Sequence, residues 1–279
     1  MTVKNLSNTS FDELLDCFLL AFENYFVKMP TDRNYYSERW KASKVDFSFS
    51  YGMFDNEKLV GFIIHSIDKR NGVLTAYNSG TGVIPKYRGN RIVESIYQYA
   101  LQVLEKNNIE KSTLEVITNN TRAIRSYKKI GFKKIKTYKC FSGNIKIDHP
   151  TSFKLEEVNI ENINWTGLPN QHFYSWDNQK ESILVGKYTH FLVENNGEPE
   201  SFFVIKPESG YVAQFDILKP NNKCWNRLFC AIKSISPTIK INNVDERLTE
   251  KIDTLRQIGL ENLIDQYEME LTIKGGNNI

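Results

Sequence analysis

No apolar run in the chain approaches the roughly 20 residues that a membrane-spanning helix requires. The opening, Met1-Thr2-Val3-Lys4-Asn5-Leu6, leads into an acidic helical pattern and has no signal-peptide apolar core. Close cysteine pairs are missing as well. Cys17, Cys140, Cys224 and Cys230 are scattered, with neither the spacing of a zinc knuckle nor the pattern of a secreted disulfide framework. These absences predict a cytoplasmic protein with free, mostly buried thiols, no bound metal and no membrane partner. The composition is that of a globular protein, 41% hydrophobic and 25% charged over 279 residues, which is enough for two ordinary domains.

The net charge of +3 conceals an asymmetry. Residues 1–149 carry 23 Lys+Arg against 15 Asp+Glu, and the remainder carries 13 against 18. A basic first half suits an anionic ligand such as a nucleotide. It does not indicate nucleic acid, because the lysines are not interleaved with aromatic residues in a recognisable binding module. The densest cluster, Lys128, Lys129, Lys133, Lys134, Lys136 and Lys139, reads as a solvated face.

Periodicity predicts a short strand at Val3–Leu6, a helix from Ser10 to Phe26, and a second helix capped by Thr31 or Asp32 and ending near Lys44. Strands follow at Phe47–Phe54 and Leu59–Ile67, joined by the turn Asp55-Asn56-Glu57, and then at Val73–Ile84. Gly80 and Gly82 inside that last strand mark a bulge or a close backbone approach. A helix at 90–106, a strand at Lys111–Ile117, a helix at Asn120–Ile130 and a strand at Lys133–Phe141 complete the first half. Hairpins followed by a strand–helix–strand unit predict a mixed α/β sheet. Residues 142–152 read as a linker, which gives domains at 1–142 and 152–279. The second half repeats the scheme. Ile258-Gly259-Leu260 followed by Tyr267-Glu268-Met269 echoes Ile130-Gly131-Phe132 followed by Tyr138-Lys139-Cys140, so a whole domain is expected to be duplicated.

Two segments of the first half carry chemistry. Val83-Ile84-Pro85-Lys86-Tyr87-Arg88-Gly89-Asn90-Arg91-Ile92-Val93 reads as a strand end, a turn and a helix start. The first N–H groups of a helix lack internal partners, and the helix dipole leaves positive charge there, so a phosphate satisfies both. Gly89 permits close backbone approach, while Arg88 and Arg91 add charge. In the second segment Asn120 is a good N-cap and Gly131 a good residue past the helix end, with Phe132 as an apolar anchor. Tyr127 leans toward the space beside Ala123, one turn earlier, where a neutral phenol can donate a proton to a leaving group.

Val-x-Pro-x-Tyr-Arg-Gly, a helix, a strand, then Asn-x-x-Ala-x-x-x-Tyr-x-x-x-Gly-Phe resembles the GNAT superfamily of acyl-CoA-dependent N-acetyltransferases over roughly residues 1–141. The later motif, at Asn120, Ala123, Tyr127, Gly131 and Phe132, is the more specific one. The resemblance implies a GNAT-like fold, in tandem if the second half is a copy. It implies acetyl-CoA as co-substrate, with no metal, in an opening between the strands that end near Val83 and Ile117. It places the pantetheine arm along Gly82 and Val83, the pyrophosphate at Arg88, Gly89, Asn90, Arg91, Ile92 and Val93, and the cofactor arm against Asn120 and Ala123. Tyr127 would protonate the departing thiolate as an amine attacks directly.

The phosphate turn departs from the family pattern, because Arg91 and Val93 stand where two small residues are usual. A catalytically idle CoA-binding or regulatory protein of the same fold is the competing reading. The base is open among Glu115, His65 and water. In the second copy, Leu255 stands in the place of Tyr127, and Lys219-Pro220-Asn221-Asn222-Lys223 replaces the phosphate turn without a glycine. That copy is expected to be degenerate. Tyr25, Phe26, Tyr35, Tyr36, Trp40, Phe47 and Phe49 could wall the acceptor site, which would take a small-molecule or peptide amine. The sequence names neither the acceptor nor an oligomeric state.

Overall fold

Capping chemistry sets the first helices. In the computed structural model, which describes residues 1–273, the chain begins with strand β1 (Thr2–Asn5). Ser10 then accepts a hydrogen bond from the Glu13 N–H at 3.1 Å and starts helix α1 (Phe11–Ala21). Asp32 caps Asn34 at 2.9 Å and starts α2 (Arg33–Ala42). The helix expected to reach Phe26 stops at Ala21, where the Phe22 N–H closes it on Phe18 and Leu19. The strand expected at Phe47–Phe54 begins later. Asp46 caps a 3₁₀ turn at Phe47–Phe49, and strand β2 occupies Tyr51–Asp55.

Strands β3 (Lys58–Arg70) and β4 (Val73–Val83) form a long hairpin, followed by α3 (Ile92–Lys106), β5 (Lys111–Ile117), α4 (Thr121–Ile130) and β6 (Lys133–Asn144). The scheme then recurs. After β7 (Lys154–Val158), a largely irregular stretch holds one short helix, α5 (Lys180–Ile183), and leads to β8 (Thr189–Asn195), β9 (Glu198–Lys206) and β10 (Tyr211–Ile217). Helix α6 (Cys224–Ile235), β11 (Thr238–Asp245), α7 (Thr249–Gln257) and β12 (Glu261–Thr272) complete it. The two helix ends match in detail. Phe132 N–H bonds Tyr127 O at 3.0 Å past Gly131, and Leu260 N–H bonds Leu255 O at 3.0 Å past Gly259. Both glycines have positive φ, 114° and 82°, which a side chain disfavours.

The chain forms two units, and their limits differ from a boundary at 142–152. Unit 1 comprises Met1–Ile135 together with the chain from Glu268 onward, and unit 2 comprises Lys136–Tyr267. The reason is that β6 starts in unit 1 and continues in unit 2, whereas β12 starts in unit 2 and ends in unit 1. Residues 274–279 of the expected second domain lie outside the described residues.

In unit 1, β1, β2, β3 and β4 pair antiparallel in that order, and β4 pairs with β5 in parallel. The end of β12 lies against β5: Ile273 N–H bonds Glu110 O at 2.8 Å, and Lys111 pairs with Glu270 at 2.9 Å. Ile92, Ile96, Tyr97, Ala100 and Leu104 bury one face of α3, a helical spacing in which Val103 is only partly covered.

In unit 2, β7, β8, β9 and β10 pair antiparallel, β10 pairs with β11 in parallel, and β11 pairs antiparallel with β6. Its core contains Phe203, Phe215, Leu228, Phe229 and Leu255, all essentially inaccessible. An ion pair is sealed beside it. Arg227 Nε lies 2.7 Å from Glu200, whose side chain is 2% exposed and also accepts from Asn195 and Asn221. All four cysteines are free and buried. Among the described residues no helix is long and apolar enough to cross a membrane.

Removing one member of a buried pair strands the other charge. Arg227→Met should lower unfolding free energy by about 3–5 kcal/mol. Urea denaturation of both proteins measures the loss, and an unchanged midpoint would contradict the account of this pair.

Candidate active site

The central feature of unit 1 is a parting between its two parallel strands. Register runs from Thr75↔Lys111 to Asn78↔Leu114 and ends there, although β4 continues to Val83 and β5 to Ile117. On its other side β4 stays paired with β3 to its end, through Gly61↔Val83. The free edge of residues 79–83 therefore presents backbone donors and acceptors toward the gap. A bulge sits at the point of divergence. Ile64 pairs with Gly80 and His65 with Asn78, so Ser79 is the extra residue. The glycines at 80 and 82 are tightly enclosed. A Cβ on Gly82 would stand 2.6 Å from the Phe62 ring and 2.8 Å from Ala21.

The turn beyond β4 is exposed from Arg88 through Arg91. Gly89 has φ 92°, and Arg91 holds the left-handed conformation with φ 53° and ψ 25°. Arg91 is the N-cap of α3 and supplies no side-chain bond, so the first N–H groups of this helix have no side-chain acceptor. Ile92 is buried and Val93 partly so, whereas Asn90 bonds back to Tyr87 O at 3.1 Å. Arg88 has a structural use: Nε bonds Val83 O at 3.1 Å, and a second nitrogen bonds Ala21 O at 3.0 Å, which ties the turn to the end of α1.

Across the gap, Asn120 Oδ1 accepts from the Ala123 N–H at 3.2 Å and starts α4. Burial raises the Tyr25 phenol and the Asn120 side chain opposes the rise, while the Tyr25 ring packs edge-on to Phe22 at 4.8 Å and Phe26 at 5.3 Å. Tyr127 is buried, with its ring edge-on to Phe132 at 5.8 Å and Tyr97 at 6.3 Å. Burial pushes its phenol up to about 12, against the pull of hydrogen bonds from Thr81 and Asn78. The phenol is therefore a neutral proton donor at neutral pH. The structure thus brings Gly82, Val83, Asn120, Ala123 and Tyr127 around the strand parting, and places Arg88 through Val93 at the turn beyond its β4 side.

The sequence reading passes over Asn78 and Thr81, and it gives Tyr25 to the acceptor wall and not to the Asn120 side chain. Glycines at 80 and 82 signal the place, but the bulged residue follows from pairing with β3, which no local pattern encodes.

The other expectations divide. Glu115 is half-buried on β5. His65 cannot meet a substrate amine, because its ring is wholly buried and its Nδ1–H is spent on Phe49 O at 2.7 Å. Burial lowers it to about 4 and keeps it neutral. Of the aromatic residues near the first helices, Tyr36 and Trp40 belong to the core, whereas Phe26 and Tyr35 are exposed. Among the described residues no group of three His, Cys, Asp or Glu is placed to hold a metal.

Unit 2 has its own parting. Parallel pairing of β10 with β11 amounts to Tyr211↔Lys240, and the strands then separate. Here the space between them is filled by the chain. The Tyr174 hydroxyl donates to Phe215 O at 3.0 Å and accepts from the Phe215 N–H at 3.3 Å, taking up the edge groups that face the gap. Lys251 stands eight residues before Gly259, as Ala123 stands eight before Gly131. Its Nζ lies 2.7 Å from both Asp216 and Phe215 O, and 3.3 Å from the Tyr174 hydroxyl. Burial lowers the Lys251 amine and Asp216 pulls it back up.

Comparison with known proteins gives the arrangement a family. Residues 11–132 match the Acetyltransferase (GNAT) family. N-alpha-acetyltransferase 30 of Schizosaccharomyces pombe is 28% identical over 89 residues, covering 32% of this chain and 59% of that protein. The chain thus spans under two thirds of the length of this curated relative. A putative acetyltransferase from Pyrococcus horikoshii superposes with a TM-score of 0.71 at 12% identity, over 98% of this chain and 90% of that one. A tandem GNAT protein from the clavulanic acid biosynthesis pathway gives 0.70 at 11% identity, over 99% and 100%.

Buried His65 also makes an acid-sensitivity prediction. Its unfolded ring binds a proton near 6.5 and its folded ring near 4, so the unfolded state holds more protons between these values. The stabilisation is complete above pH 6.5 and is lost as pH falls toward 4. About 2 kcal/mol should disappear between pH 7 and pH 5 from this group. Unfolding curves at the two pH values should differ less for His65→Asn by that amount, and equal slopes would assign the acid sensitivity elsewhere.

Strand order, the parting and the motif helix at 120–132 agree with the comparisons: this chain has the GNAT fold in tandem, and its residues 11–132 match the Acetyltransferase (GNAT) family.

Proposed function

We propose that the chain transfers an acetyl group from acetyl-CoA to a primary amine, using the parting in unit 1. The observation that carries this reading is the neutral, buried Tyr127 phenol, hydrogen-bonded to β4 residues where the strands diverge. The free edge of β4 at Gly82 and Val83 suits an extended amide-bearing arm, which would bond to it like an added strand. The uncapped start of α3, with Gly89 and Arg91 before it, suits a pyrophosphate. Asn120 and Ala123 line the opposite side. Acetyl-CoA supplies a thioester carbon open to attack by an amine.

In the transfer, a C–N bond forms and the C–S bond breaks. Tyr127 gives its hydroxyl proton to the departing sulfur, and the amine proton leaves to Glu115 or to water. Val83 O is already engaged by Arg88, so that side chain is held beside the arm and is less free to pair with phosphate. Arg91 is exposed and is the cation available to the anion. The S. pombe relative is named for acetylation at an α-amine, which supports peptide amino termini beside small amines as acceptors.

Unit 2 is proposed not to take part in cofactor binding, since Tyr174 and Lys251 fill the corresponding space. The chain would then bind one acetyl-CoA.

Calorimetry with acetyl-CoA, paired with thiol release over a panel of small and peptide amines, tests the proposal. One site per chain and turnover with at least one amine are expected. Tyr127→Phe should lower kcat by about 100-fold or more, in the range of general-acid contributions, with acetyl-CoA affinity largely retained. Binding without turnover across the panel, or an equal loss of binding and turnover in Tyr127→Phe, would refute the acid role. Arg91→Gly separates backbone from charge. Relief of the left-handed strain should stabilise the fold by up to about 1 kcal/mol, while acetyl-CoA binds more weakly. Tighter or unchanged binding would remove Arg91 from the phosphate site.

A further inference from the structure

The turn beyond β4 offers hydrogens and has no acceptor to match them. From Gly89 through Val93 no backbone N–H reaches an acceptor among the described residues. Arg91 is the cation that the turn itself supplies. Such a place attracts an anion and repels a further cation.

A further cation stands there all the same. A Cβ on Gly89 would lie 3.8 Å from a terminal nitrogen of Arg122, with nothing but its own chain neighbours otherwise inside 4 Å. Arg122 belongs to the first turn of α4, which follows β5, whereas Gly89 follows β4. The side chain therefore reaches from one rim of the parting to the other.

Nothing in the protein holds it in that place by charge. Arg122 is exposed and makes no hydrogen bond or ion pair among the described residues. The first turn of α4 contains no acidic residue. The acid in the first turn of α3, Glu94, lies 3.8 Å from Lys129 instead. An arginine in the first turn of a helix also opposes the helix dipole. Dipole, unpaired donors and Arg91 all act against Arg122, and an anion between its guanidinium and the turn reverses the sign of each.

We propose that Arg122 binds the pyrophosphate of acetyl-CoA, closing over it from the α4 side while the turn at 89–93 holds it from the β4 side. The role rests on acetyl-CoA as the cofactor, as stated under the proposed function. It adds a residue from the far rim to a phosphate site otherwise built from one turn. A guanidinium presents a planar fork of donors, which suits two phosphoryl oxygens at once. The pyrophosphate is the group concerned, and not the 3′-phosphate on the ribose, because the guanidinium lies over the turn at Gly89 itself.

Cofactor fragments separate these groups. Arg122→Gln removes the charge and keeps a polar side chain, and Arg122→Lys keeps the charge and loses the fork. Each variant and the wild-type protein are titrated calorimetrically with acetyl-CoA. Two fragments are measured by competition against it: acetyl-dephospho-CoA, which lacks only the 3′-phosphate, and acetyl-pantetheine, which lacks all the phosphates. Thermal melting accompanies each titration.

Arg122→Gln should weaken acetyl-CoA roughly tenfold to a hundredfold, the range of a hydrogen bond to a charged group. It should weaken acetyl-dephospho-CoA by the same factor and leave acetyl-pantetheine unchanged, with Arg122→Lys in between. Its melting temperature should stay at or above that of the wild type, since the charge opposed the dipole. A loss with acetyl-CoA that disappears with acetyl-dephospho-CoA would move Arg122 to the 3′-phosphate and overturn the assignment. An equal loss with acetyl-pantetheine would make the effect structural, and unchanged acetyl-CoA affinity would remove Arg122 from the site. If the wild-type protein binds no acetyl-CoA, the cofactor reading falls and this inference falls with it. Wild-type binding that Arg122→Gln leaves intact sinks this inference alone.

Discussion

Parallel strands that stop pairing before they end are the constraint on which the first unit depends. β4 and β5 share only four register positions and then diverge, so beyond Asn78 and Leu114 neither strand pairs with the other. Backbone groups in that state require partners, either from water or from a ligand that lies along the strand. Each other feature of the site is placed relative to this gap. The bulge at Ser79 re-aims the side chains that follow, α4 begins where β5 leaves the sheet, and the uncapped end of α3 follows the turn after β4. Nothing in this arrangement needs an unusual residue. It needs two strands of the right length and a helix after each.

The second unit shows how little separates a cleft from a core. Its strands part as well, and its helix ends in the same glycine turn. A tyrosine from the irregular stretch after β7 answers the edge groups of Phe215, and a lysine takes the position that alanine keeps small in the first unit. The lysine is satisfied by a carboxylate, a carbonyl and a hydroxyl, so its burial leaves no donor idle. Filling converts a polar gap into a closed network. Duplication supplied the geometry twice, and side-chain volume decides what each copy does with it.

Local chemistry was legible in the residues where a local rule governs it. Asn120 and Gly131 read as a cap and a stop because each satisfies orphan groups within one turn, and both do so. Gly80 and Gly82 marked the close approach in β4. Three things were not legible. Helix α1 ends at Ala21 because its last turn closes there, although apolar residues continue at helical spacing as far as Phe22 and an aromatic cluster follows. Arg91 looked like a lost glycine, and it holds a left-handed backbone of the kind glycine adopts most readily. The bulge at Ser79 is a relation between two strands and has no signature within one.

The path of β12 has a consequence for how the first unit comes into being. The stretch that lies against β5 and contributes Ile273 to the core beside Ala76, Leu104 and Ile109 is made only after the whole of unit 2. At ribosomal rates of about 5–20 residues per second, the roughly 130 residues between Ile135 and Glu268 take on the order of 10 s. During that interval the unit bearing Tyr127 has β5 as an unfinished edge. Its sheet closes only after the second unit has been synthesised, so the order of translation makes the copy without the tyrosine a precondition for completing the copy that has it.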